Sequence, residues 1–268
     1  MNTTSHVPAW KDVAPAIAKV TFSEILRDKI LYNVLFCAFM LFGLGLLASR
    51  LTFIRPERVV LDFGLSAVSI SCAMIAVFMG AGLVGREFER RTVHVALSHP
   101  ITRPQFVCGK FLGLAGVLFV NWLLLSVAYC AILVLMQGFG ETFGNAALFP
   151  ALILALIQSI VMAGVTVFLS TFTTTSLSVV MAIGVYLIGQ NISELRSVVN
   201  QIEAPGLKSI LHVVVSLPPN LEYFNIGNRL TYALPVGFGL MIESVLYASL
   251  VITVFLIAAG FLINRREV

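Results

Sequence analysis

Charge is what this sequence has least of. Asp, Glu, Lys and Arg make up 11% of its residues, against about a quarter in an ordinary soluble domain. Hydrophobic residues supply 59% and are gathered into long runs, which is the pattern of a membrane protein. A separate soluble domain needs a polar, patterned stretch of at least about 50 residues. None occurs, so residues 1–268 read as a single transmembrane domain. Cysteine is sparse too. Cys37, Cys72, Cys108 and Cys130 lack C-x-x-C spacing and lie in or beside apolar runs, so they read as small buried hydrophobes and not as a disulfide framework or metal site. His94 and His99 are five residues apart and do not share a helical face as paired metal ligands would. No phosphate-cradling glycine loop of either common type is present, so nothing here binds or hydrolyses a nucleotide. The net charge of +4 comes from loops and makes no case for nucleic acid.

What is there is a set of six apolar stretches. They run at about 31–48, 64–85, 111–136, 147–169, 177–192 and 242–263, each near the ~20 residues that a helix needs to cross hydrocarbon. The fifth is the shortest. Val213 to Leu217 is also apolar, but Pro205-Gly206 and Pro218-Pro219 fence it too closely for a seventh crossing. The expected fold is all-α and integral to the membrane. An interfacial helix precedes the first span, with Val13, Ile17, Val20, Phe22, Ile25 and Leu26 as its apolar residues. Between spans five and six, Ile192, Leu195, Val199 and Ile202 recur at near-helical spacing and Leu207 to Leu217 forms a second apolar stretch. Two short re-entrant helices on the outer side are expected there. The charged N-terminus, with no small-residue cleavage site after a short apolar core, is not a signal peptide.

An even number of spans puts both termini on one side. With the termini inside, eleven basic residues face the cytoplasm: Lys11, Lys19, Arg27, Lys29, Arg86, Arg90, Arg91, Arg103, Lys110, Arg265 and Arg266. Six face outward: Arg50, Arg55, Arg58, Arg196, Lys208 and Arg229. The positive-inside rule favours that orientation.

Ion-coupled carriers keep ionisable ligands near the bilayer midplane, and these spans have almost none. The deep polar residues are Asn121 and Gln158, with Glu243 at the outer end of the sixth span. They are candidate pathway residues or helix-packing residues. The pairs Ala81/Gly85 and Gly109/Gly113 permit close helix approach.

One dense charge cluster interrupts the apolar background, from Arg86-Glu87-Phe88-Glu89-Arg90-Arg91 through Thr92–Ser98 to Pro100-Ile101-Thr102-Arg103 and Gly109-Lys110. A short helix with a proline stop, flanked by charge, can lie on the membrane surface and be gripped by a soluble partner. This segment resembles the coupling segment of ABC type-2 transporter permeases. In that family a glutamate-rich start leads into a short helix, then Pro-Ile-Ser/Thr-Arg, then Gly-Lys at the mouth of the third span. Phe22 to Lys29 is similar to the family's pre-span amphipathic helix, and Leu217 to Asn225 to a segment before its last span. Arg91-Thr92 stands where the family often has Gly-Thr.

The resemblance implies a permease subunit of an ATP-driven exporter in a prokaryotic cytoplasmic (inner) membrane. It implies a second permease copy or paralogue and two cytoplasmic ABC ATPase subunits that bind the ATP and Mg²⁺. It assigns coupling to Arg86, Glu87, Glu89, Arg90, Arg91, Thr92, His94, Pro100, Arg103 and Lys110. The other reading is a non-transporting scaffold or sensor subunit. The orientation is directly measurable with single cysteines in a cysteine-free background and an impermeant reagent on intact cells. A cysteine at Glu141 is expected to react and one at Glu89 to stay protected; the reverse pattern inverts the topology.

Overall fold

The computed structural model describes residues 10–51, 56–89, 103–201, 205–232, 234 and 236–265. Among them every regular element is helical. Helix α1 spans Trp10–Leu26, α2 Lys29–Leu51, α3 Pro56–Glu89 and α4 Arg103–Gln137. A short α5 (Phe139–Gly144) precedes α6 (Leu148–Ser170) and α7 (Thr175–Gln190). Then come α8 (Ile192–Asn200), α9 (Pro205–Ser216), a 3-10 turn (Glu222–Phe224), α10 (Gly227–Thr231) and α11 (Phe238–Arg265).

Five of these helices, α2, α3, α4, α6 and α11, are each long and apolar enough to cross a membrane. Helix α7 reaches that standard only together with α8, from which it is bent by 76°. Among the described residues the chain is therefore an all-helical, multi-span protein with five candidate crossings, or six when the bent pair counts as one. The sequence reading ran the fifth span to residue 192. Asn191 ends the helix sooner, leaving helical backbone at φ −125° and ψ 29°, while its side-chain amide donates to the Leu187 carbonyl at 2.9 Å.

Two helices start earlier than apolar counting implies. Helix α3 begins at Pro56 instead of near Gly64, and α4 at Arg103 instead of Phe111. Proline is tolerated in a first turn, where its missing N–H has no partner to lose, and hydropathy registers only the greasy part of a helix. Asp62 is thus helical, and Arg103–Lys110 form the first turns of α4. Elsewhere the stops and starts have local causes. Asp28 Oδ1 accepts from Ile30 N–H at 3.0 Å and caps α2. Gly138, at φ 86°, takes a left-handed conformation that suits glycine and turns the chain from α4 into α5.

Helix α6 is the axis of the bundle. In its most apolar window 72% is buried, against 28% for α2 and 17% for α11. Its hydroxyls bond back to their own helix, Ser159 to Leu156, Thr166 to Met162 and Ser170 to Val167, which satisfies them without water. The serine–threonine turn after α6 closes the same way, with Thr171 donating to Phe168 and Thr173 to Leu169. Two ends of the bundle follow. One, the terminal end, holds α1, the end of α3, the start of α4 and this turn. The other, the capped end, holds α5, α8, α9, the 3-10 turn and α10.

Close helix approach is set by glycine. A Cβ on Gly64 would lie 2.1 Å from Tyr129 Cε2. The Tyr129 ring cannot yield, because it stacks on Phe42 at 6.2 Å and its hydroxyl donates to the Leu61 carbonyl at 2.9 Å. Gly43 has open space around it. Gly64→Ala is expected to cost about 1–3 kcal/mol through overpacking and to lower the melting temperature in detergent, while Gly43→Ala leaves it unchanged. Thermal unfolding of both variants beside the parent chain checks this; equal melting temperatures would contradict the packing.

Candidate functional site

A cavity of about 610 Å³ opens at the capped end, within the usual size range of small-molecule sites. Helix α3 lines it with Asp62, Ser66 and Ser69, spaced i, i+4, i+7 on one face. Helix α6 adds Ala151, Ala155 and, deeper, Gln158. Helix α7 adds Tyr186 and Gln190, and the segment after the bend supplies Asn191 and Glu194. Glu222, Phe224 and Asn225 add a further part of the wall. By helical rise, Ser69 and Gln158 lie about 10 Å below Asp62 and Ala151. The amide of Gln158, 3% exposed, and that of Gln190 both share hydrogen bonds with the Tyr186 hydroxyl.

The wall at 217–232 is held in place by specific polar contacts. Leu221 N–H donates to the Gly189 carbonyl at 2.9 Å, and Asn220 N–H to the Tyr247 hydroxyl of α11 at 2.7 Å. Glu222 Oε2 accepts from both the N–H and the hydroxyl of Ser193, at 3.1 and 2.6 Å. A carboxylate in this position complements the positive end of α8. The Thr231 hydroxyl donates to Asp62. The Arg58 guanidinium lies over the Tyr232 ring at 4.7 Å, and Asn145 donates to the Leu230 carbonyl at 3.0 Å. Leu217 to Asn225, singled out in the sequence, is therefore the hub of the capped end. Nearby, α8 and α9 pack on each other through Ile192, Val199 and Val215; Ile202, counted with them in the sequence, lies outside the described residues.

The three deep polar candidates separate. Gln158 lines the cavity. Asn121, 4% exposed, instead binds α4 to α3, its Nδ2 donating to Cys72 Sγ at 3.3 Å. Its Oδ1 has no hydrogen-bond partner among the described residues. Glu243 lies on an exposed face of α11, away from the cavity lining. Asp62, Tyr186, Glu194 and Glu222 were missed. The spacing of Asp62, Ser66 and Ser69 is the available signal, hidden where the second span is started at residue 64.

At the terminal end, α1 lies against α4. A Cβ on Gly109 would meet Ile17 at 2.8 Å, and one on Gly113 would meet Thr21 at 2.7 Å. The small-residue pair read from the sequence thus marks a close approach, and its partner is α1. Thr21 is buried in this contact, while Val20, counted as apolar-face in the sequence, is exposed. The glycine groove admits the short threonine side chain. Gly85 makes a similar approach to Thr175 at the start of α7. Lys110 is buried, its ammonium 3.9 Å from Glu24 and 5.6 Å from the centre of the Phe106 ring. Glu24 is 68% exposed, so the pair adds little energy; the buried lysine stem adds packing.

Of the expected coupling residues, Arg90, Arg91, Thr92, His94 and Pro100 lie outside the described residues, and so does the expected helix at Thr92–Ser98. Arg86, Glu87 and Glu89 belong to the last turns of α3, and Arg103 is the first residue of α4. The segment thus joins the ends of the two longest helices.

A search of curated proteins found no match to this chain. A family profile described as "ABC-2 family transporter protein" matches residues 15–268. That match takes in the cavity, the 217–232 wall and the α3–α4 connection together, in a chain with five or six apolar helices of spanning length. This multi-pass membrane permease belongs to the ABC-2 family of transporter proteins.

Proposed function

We propose that the chain is the membrane-spanning permease subunit of an ATP-driven ABC exporter. Family membership implies association with ABC ATPase subunits. Two such subunits, carrying the ATP and Mg²⁺, are placed at the terminal end, in the cytoplasm of a prokaryotic inner membrane. The eleven-to-six division of basic residues supports this orientation. The whole chain acts as one permease domain. A second copy or a paralogue completes the pathway, with α2 and α11 offering the apolar surface for it and for lipid. Helix α1 lies along the inner interface, and α8 and α9 dip into the outer leaflet.

The observation that carries this reading is the course of α3. One unbroken helix of 34 residues, Pro56–Glu89, carries the cavity residue Asp62 near one end and Glu89 at the other, beside the charged segment; its full length is about 50 Å. A push on residues 86–103 as the ATPases close around ATP reaches the cavity wall through that rod. Helix α4 receives the same push, and the glycine contacts and Lys110 pass it to α1.

Glu87→Lys with Glu89→Lys is expected to leave the chain inserted but to weaken ATPase recruitment, because like-charge contact at a docking rim costs several kcal/mol. Co-purification of the ATPase at matched expression reads this, with the chain alone as the control that hydrolyses no ATP. Equal recovery with equal substrate-stimulated hydrolysis would reduce the segment to a topological anchor.

A further inference from the structure

The charge pattern of the cavity selects a class of ligand. Among the described residues, three carboxylates, Asp62, Glu194 and Glu222, line it, and no Lys, Arg or His does. The neighbouring cavity at Glu57, Arg58 and Glu141 carries both signs and selects neither. In the larger cavity the charge sits near the mouth, and the deeper wall is mixed, with Ile70 and Ala155 beside the Gln158 amide. A polar void inside a membrane bundle is expensive unless it serves a polar guest, and single-sign walls concentrate ions of the opposite sign. An anionic group would meet repulsion without a compensating donor charge. A neutral apolar body would leave the carboxylates and amides without a gain.

We propose that this cavity binds a protonated amine carried on an apolar body, an alkyl- or arylalkylammonium compound. Its ammonium group lies among Asp62, Glu194 and Glu222, and its body extends past Ile70 and Ala155 toward Gln158. The carboxylates accept the ammonium hydrogen bonds, and the volume of about 610 Å³ holds the body. The inference deepens the permease reading and rests on it only for the role of the bound amine as cargo.

The test uses the full chain without its ATPase, in nanodiscs of neutral phosphatidylcholine, so that no anionic lipid attracts the probe. The probes are dansylcadaverine, a primary amine on an aromatic body, and its neutral N-acetyl derivative, with binding read by fluorescence anisotropy. The parent chain is expected to prefer the amine by about tenfold, the scale of a partly screened charge contact. Glu194 is exposed, so its substitution spares the packing. Glu194→Gln is expected to weaken amine binding severalfold and Glu194→Lys to abolish the preference, with the neutral probe unchanged in both. Equal binding of the two probes to the parent chain, no amine binding, or a preference that survives Glu194→Lys would each overturn the proposal. None of these outcomes bears on ATPase recruitment, which tests the permease reading separately.

Discussion

Hydrocarbon offers no hydrogen bond to a bare peptide group, and most of this structure answers that one constraint. Long helices close their own backbone bonds. The hydroxyls of α6 bond back to carbonyls of the same helix. The difficult region is 217–232, where consecutive prolines at 218 and 219 prevent a long helix. There the backbone is served from outside: by the Gly189 carbonyl for Leu221, by the Tyr247 hydroxyl for Asn220, and by the Asn145 amide for the Leu230 carbonyl. Because those partners sit on several different elements, satisfying the segment also fixes the helix ends around it.

The same constraint separates structure from function among the polar residues. A hydroxyl that bonds within its own helix needs no further role. The Gln158–Tyr186 contact instead joins α6 to α7, and the carboxylates Asp62 and Glu222 accept from other elements; these groups face a shared space. On the proposed reading, that space and the charged α3–α4 connection are the two ends of one device, with α3 as the connecting rod. The central, largely buried position of α6 makes it the fixed wall against which α3 can shift.

The sequence made the architecture legible where composition alone decides it. Six apolar runs mark the bundle, and all but the fifth fall on helices that meet the spanning standard unaided. Helix starts were not legible, because Pro56 and Arg103 begin helices whose first turns are polar. A span started at residue 64 leaves Asp62 outside it and hides the strongest clue to the cavity. Gly109 and Gly113 announced a close approach, but spacing names a face and not the partner, and α1 could not be chosen from the sequence. Gln158 was visible as a deep amide, as was Asn121. What distinguishes them is the neighbour, Tyr186 and a cavity in one case and Cys72 in the other, which depends on how the helices are rotated. The bend at Asn191 was hidden for a similar reason: an apolar run continues across it.

The central claim is that ATP binding at the terminal end reshapes the cavity at the capped end. It is tested by replacing Cys37, Cys72, Cys108 and Cys130, placing one cysteine at Ser69, and reconstituting the permease with its ATPase. The rate at which a small water-soluble thiol reagent modifies that cysteine is then compared with and without ATP and vanadate. The account predicts a severalfold change in rate on trapping, lost when Glu87 and Glu89 are both reversed to lysine. A rate that stays the same while ATP is hydrolysed would contradict it.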